Sequence, residues 1–163
     1  GLWECFQEGF GNYRSLSERW IDSSGALTPH ARATLGRLEP VLADRLMQLA
    51  DTCSTDDEAV IVEGISEGQF EDKWGALTVA LWLADEARGD DRRLAKWADA
   101  GPPGIVTLAA RHLDPRLVAP LRRAVAAARR CGARSHAGSR HSRSEPAPPS
   151  GFFAFNAISD VEL

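Results

Sequence analysis

Apolar residues recur at steps of three and four along most of this chain, the spacing of a helix with one buried face. Trp3, Phe6, Phe10, Tyr13, Leu16 and Trp20 form the first such stripe. It predicts a core-facing helix despite Gly9 and Gly11, because roughly 1.5–3 kcal/mol per buried large side chain outweighs the ~1 kcal/mol cost of each internal glycine. Residues 21–25 read as a linker. Thr28-Pro29 then opens a helix, with the Thr hydroxyl as cap and Pro in the first turn, where its missing N–H is harmless. That helix is expected to end near Glu39. Pro40 starts its successor, giving a kinked pair with Leu35 and Leu38 on one member and Val41, Leu42, Leu46 and Leu49 on the other.

Residues 54–58, Ser-Thr-Asp-Asp-Glu, supply a capping box for a helix running to about Ser66. Gly68 can take the positive φ that ends it. From Trp74 to about Arg88 apolar residues point almost all round the axis, with Trp74, Leu77, Leu81 and Ala84 on one face and Val79, Ala80 and Leu83 filling most of the rest. Such a helix belongs in the middle of a bundle. A turn at Arg88-Gly-Asp-Asp, a short helix containing Trp97 and a stop at Gly101-Pro-Pro-Gly104 follow. Helical patterning resumes at Ile105, with a kink or break at Asp114-Pro115. The domain plan is a helical bundle over residues 1–129, a flexible Arg/Ser/Pro-rich linker over 130–149, and a terminal apolar segment over 150–163 that could pack back on the bundle.

The stretch Ile61-Val62-x-x-Ile65, Glu67-Gly68, then Lys73-Trp74-Gly75-Ala76 resembles the first homology region of the B-cell lymphoma-2 (Bcl) family of apoptosis regulators. In that family a Val-Val-x-x-Leu helix, an Asp-Gly turn and Asn-Trp-Gly-Arg open the central helix. Gln69 to Asp72 are extra turn residues, Lys73 stands in place of Asn, and Ala76 in place of the Arg that pairs with an Asp of the bound helix. Ser150-Gly151-Phe152-Phe153-Ala154-Phe155 is similar to the second homology region, with Phe152 in place of Trp. Such divergence resembles viral members of the family, those of poxviruses among them.

The resemblance implies an all-α, Bcl-type bundle with a central hydrophobic helix and a surface groove. It also implies an inhibitor of apoptosis that sequesters the death-promoting amphipathic helices (BH3 motifs) of Bax, Bak and BH3-only proteins. Carried over position by position, Ile61 and Ile65 would line one groove wall and Leu83 the floor, while Gly75 would let the ligand backbone approach. Leu38, Leu42 and Leu46 would form the opposite wall, with Lys73 the nearest cation able to replace the Arg missing at Ala76.

Composition narrows the alternatives. At 163 residues and 44% apolar content the chain suits one domain. Its three cysteines, Cys5, Cys53 and Cys131, have no metal-like spacing, and no cofactor, metal site or catalytic constellation is expected. His30, His112, His136 and His141 read as surface, half-buried or flexible-segment residues. Acid pairs such as Asp56-Asp57 and Asp90-Asp91 read as helix caps, and no Gly-rich phosphate loop is present. No apolar run approaches the roughly 18–20 residues that span a bilayer. The odd number of cysteines fits a reducing compartment, so the cytoplasm is expected, and the resemblance adds the mitochondrial outer membrane if the native C-terminus carries an anchor. Net charge is −4, yet Arg116 to Arg143 contains no Asp or Glu. The alternative function is therefore a helical nucleic-acid-binding or scaffold protein using that basic segment.

Overall fold

A computed structural model describes residues 1–52 and 55–138, with side chains for 1–52 and 56–126. The described residues form seven α-helices: α1 Leu2–Arg14, α2 Pro29–Asp51, α3 Thr55–Val62, α4 Ala76–Ala87, α5 Ala95–Ala100, α6 Gly104–His112 and α7 Pro115–Gly138. Short 3₁₀ turns at Phe70–Asp72 and Asp91–Leu94 flank α4. No strand is present among them; one isolated bridge, Ile21 to Leu27, closes the loop between α1 and α2. The all-α expectation holds at this level.

Every residue of α4 except Asp85 is buried. Helix α1 lies along it, α2 and α6 also pack on it, and α7 covers α2 and α6. The start of α4 carries no side-chain cap. Its unpaired N–H groups are met instead from the preceding corner, where the Ile65 carbonyl accepts from Gly75 (3.1 Å) and Ala76 (2.8 Å). The same corner holds Trp74, whose indole donates to the Glu63 carbonyl at 2.8 Å.

Four expectations about elements change. First, α2 runs unbroken through Pro40. Proline removes one hydrogen bond to the carbonyl of Gly36, and both residues are exposed, so water can satisfy that carbonyl while Leu35, Leu38, Leu42 and Leu46 stay buried in one line. Second, α3 stops at Val62 rather than near Ser66, because Gly64 already takes φ +75°. Third, α1 ends at Arg14, so Trp20 reaches the core from the loop.

The aromatic stripe is also not the innermost face of α1: Trp3 is 65% exposed while Cys5 and Gly9 are buried. A Cβ on Gly9 would fall 2.7 Å from Val79 Cβ. Small residues let the α1 and α4 backbones approach, and Phe6, Phe10 and Tyr13 pack half-buried on the flanks. Fourth, α7 continues past 130, where a flexible linker is expected, to Gly138. Alanine and arginine, which dominate residues 126–135, are strong helix formers. The remainder of the linker, the terminal segment 150–163 and Cys53 lie outside the described residues.

At Asp114-Pro115 the expected break is present. Leu113 is extended (ψ 152°), Pro115 opens α7, and the Asp114 carboxylate accepts from the Arg116 N–H at 2.8 Å.

Candidate functional site

The helices α2, α3 and α4 bring the expected groove residues into one region, but most of them face inward. Leu38, Leu42, Leu46, Ile65 and Leu83 belong to a single buried cluster, and Ile61 and Ala76 are buried too. Gly75 is the clearest correction. A Cβ there would meet the Ile65 side chain inside 3.0 Å and Cys5 Sγ at 2.9 Å, so its bare Cα serves packing between the 64–65 corner, α1 and α4 rather than an incoming ligand backbone. Burial of Cys5 pushes its thiol pKa up to about 12, which makes it an unreactive core residue. Ala76 is fully buried, so a long cation at that position could not reach the surface without displacing its neighbours.

Lys73 is half-buried, with its ammonium 6.0 Å from the Phe70 ring centre. Arg37 is engaged, donating to Asp72 (3.3 Å) and to the Glu71 carbonyl (2.6 Å). Arg45 of α2 is half-buried and makes no ion pair among the described residues.

Open apolar space lies one turn further out. A cavity of about 320 Å³ is lined by Leu2 from α1, Leu46, Leu49 and Ala50 from α2, Glu58 from α3 and Val125 from α7. A neighbouring opening joins the end of α2 to Val60 and Ile61, and Val60 is 64% exposed. Of the expected groove residues, Leu46 and Ile61 alone reach these two openings. Leu49 and Val125 were legible as apolar helix positions. Their exposure depends on how α7 crosses α2, which no local pattern encodes.

A second, polar cavity of about 380 Å³ sits between the ends of α4 and α6, lined by Asp85, Glu86, Arg88, Arg93, Arg111 and His112. Burial alone would push the Glu86 carboxyl up, but hydrogen bonds from Arg111 (2.6 Å) and Lys96 (3.2 Å) hold it below its ordinary value. His112 stacks on Trp82 with ring centres 5.5 Å apart, and burial lowers its pKa against the opposing pull of Asp85 and Glu86. Trp82 in turn donates to the Glu39 carboxylate at 2.8 Å, and burial raises the Glu39 pKa. These contacts tie α2, α4 and α6 together. No cluster of metal-ligating side chains occurs among the described residues, nor is any of their helices long and apolar enough to cross a membrane.

No protein-family model, curated protein or solved structure matches the chain.

Proposed function

We propose that this protein is an inhibitor of apoptosis with a Bcl-type bundle, in which α4 is the central hydrophobic helix and death-promoting amphipathic helices dock beside α2 and α3. The observation that carries the reading is the corner from Ile61 to Ala76. A helix, a glycine turn and Trp74-Gly75 lead directly into a helix buried on nearly every side, in the order the resemblance requires. The apolar cavity bounded by Leu46, Leu49, Ala50 and Val125 offers a mouth through which the first anchor of a partner helix enters. Full seating then needs α3 to move away from α2, exposing Leu42 and Ile65. Helix α3 is suited to that movement: it is short, and its exposed face includes Val60. With Arg37 engaged and Ala76 inside, Arg32 and Arg45 are the arginines of α2 that make no ion pair among the described residues, and Arg45, next to Leu46 at the cavity, is the one placed to meet the Asp of such a ligand.

The test is calorimetric titration with BH3 peptides of Bax, Bak and BH3-only proteins. Wild-type protein binds at least one of them with a Kd in the range of about 1 nM to 1 μM. Leu49→Glu, which places a carboxylate in the cavity, weakens that binding at least tenfold, about 1.4 kcal/mol, with helical content unchanged. Absence of binding across the whole panel sinks the proposal. Tight binding that Leu49→Glu leaves untouched moves the site elsewhere.

A further inference from the structure

Helix α7 presents two faces of opposite character. Leu117, Leu121 and Val125 pack against the core, chiefly on α2, while Arg116, Arg122 and Arg123 are exposed. None of these three arginines makes an ion pair among the described residues. No Asp or Glu occurs anywhere from Pro115 to Gly138, so nothing on the helix itself neutralises them. Arg116 and Arg123 stand two turns apart on one side of the helix, and the sequence repeats arginine at positions 130 and 134, at further steps of seven and four. Over its 24 residues the helix extends about 36 Å.

We propose that this outer face of α7 docks the protein onto the surface of bilayers containing anionic phospholipids. The guanidinium groups suit phosphate oxygens, which they can engage in bidentate fashion. A lone basic helix meets a duplex by entering its major groove, whereas α7 is packed along α2 and offers Arg116, Arg122 and Arg123 on its outer side alone, an arrangement that suits a plane of headgroups. The packing of the helix therefore favours a membrane over a duplex. The apolar face of α7 is already occupied by α2, so the helix lies flat and does not insert.

One further feature belongs to the same end of the molecule. Leu2 and Val125 line a common cavity, and beside Leu2 the indole of Trp3 stands 65% exposed, the kind of side chain that settles at the headgroup level. Attachment is electrostatic and reversible by salt.

The experiment is sedimentation of the full chain with vesicles of phosphatidylcholine alone or with about 30% phosphatidylserine, a content near that of anionic cytoplasmic leaflets. The protein is expected to pellet with the anionic vesicles only, and to be released between about 0.1 and 0.5 M salt. The triple variant Arg116→Gln, Arg122→Gln, Arg123→Gln is expected to lose at least tenfold in vesicle affinity. The matching Lys variant is expected to keep more affinity than the Gln variant and less than the wild type, because the charge stays while the bidentate fork is lost. Equal pelleting with neutral vesicles, binding that persists in high salt, or an unaffected Gln variant overturns the proposal. So does competition in which duplex DNA strips the protein from vesicles at equal phosphate concentration. The salt release is read on unaltered protein, so the proposal stays testable even if the Gln variant fails to fold.

Discussion

The contact between α1 and α4 and the end of the molecule where α2, α3 and α7 meet solve the same problem in opposite ways. At the first, small residues face one another: Gly9 lies against Val79, and Cys5 and Gly75 share a boundary with Ile65. A Cβ at either glycine would overlap its neighbours, so the two helices meet at close range. At the second, Leu46, Leu49, Ala50 and Val125 leave a cavity of about 320 Å³, and Val60 faces water. Apolar surface left uncovered there is what a partner can still bury. The molecule concentrates its packing around α4 and leaves its adaptable surface beside α3.

The largest expected effect breaks the tight side. Gly75→Glu would place atoms inside 3.0 Å of Ile65 and a carboxylate among buried side chains. Overpacking and an unpaired buried charge together should cost more than about 4 kcal/mol. Chemical denaturation, or failure to obtain folded protein, reads this directly. A stable Gly75→Glu protein with intact helical content would show that Gly75 borders open space after all, and would return it to the groove.

A milder contrast lies within α1 itself. Gly9→Ala meets Val79 at once and should destabilise by about 1–2 kcal/mol, overpacking exceeding the gain in helix propensity. Gly9→Ala combined with Val79→Ala should recover part of that loss, because the closest methyl is removed. Gly11→Ala meets nothing within 4 Å and should stabilise by about 0.5–1 kcal/mol. Denaturation midpoints of the variants measure both signs. If Gly9→Ala is as stable as Gly11→Ala, the close approach of α1 to α4 is not real.

These residues also mark what the sequence could and could not convey. The all-round apolar run from Trp74 to Ala87 announced a buried helix, since no face of it suits water. The cap at Thr28-Pro29 and the break at Asp114-Pro115 were equally legible, being local chemistry. The face of α1 was not. Periodicity pointed to the largest side chains as innermost, yet the distance between two backbones decides that face, and at close range small residues win. The continuity of α2 through Pro40 was hidden for a similar reason, since it depends on which side of the helix faces solvent. The candidate site suffered most: leucines at helical spacing read the same whether they line a groove or fill a core, and Leu38, Leu42 and Leu83 fill the core.

The smallest expected effect tests how firmly α6 is clamped to the tight side. His112 is packed on Trp82, with Asp85 and Glu86 from α4 and Arg111 from its own helix around it. Burial lowers its pKa below the ordinary 6.5, and the two carboxylates pull the other way, so the net shift is downward but opposed. Between the folded and the unfolded pKa the unfolded chain holds more protons at this site. Stability must therefore rise with pH there, and fall as pH drops through 6.5. His112→Phe keeps a ring against Trp82 and removes the titration. Its denaturation midpoint, followed from about pH 8 to about pH 5, should decline less on acidification than that of the wild type. If the wild type instead gains stability relative to His112→Phe as pH falls, Asp85 and Glu86 outweigh burial, and α6 is held by an ion pair in place of a stacked neutral ring.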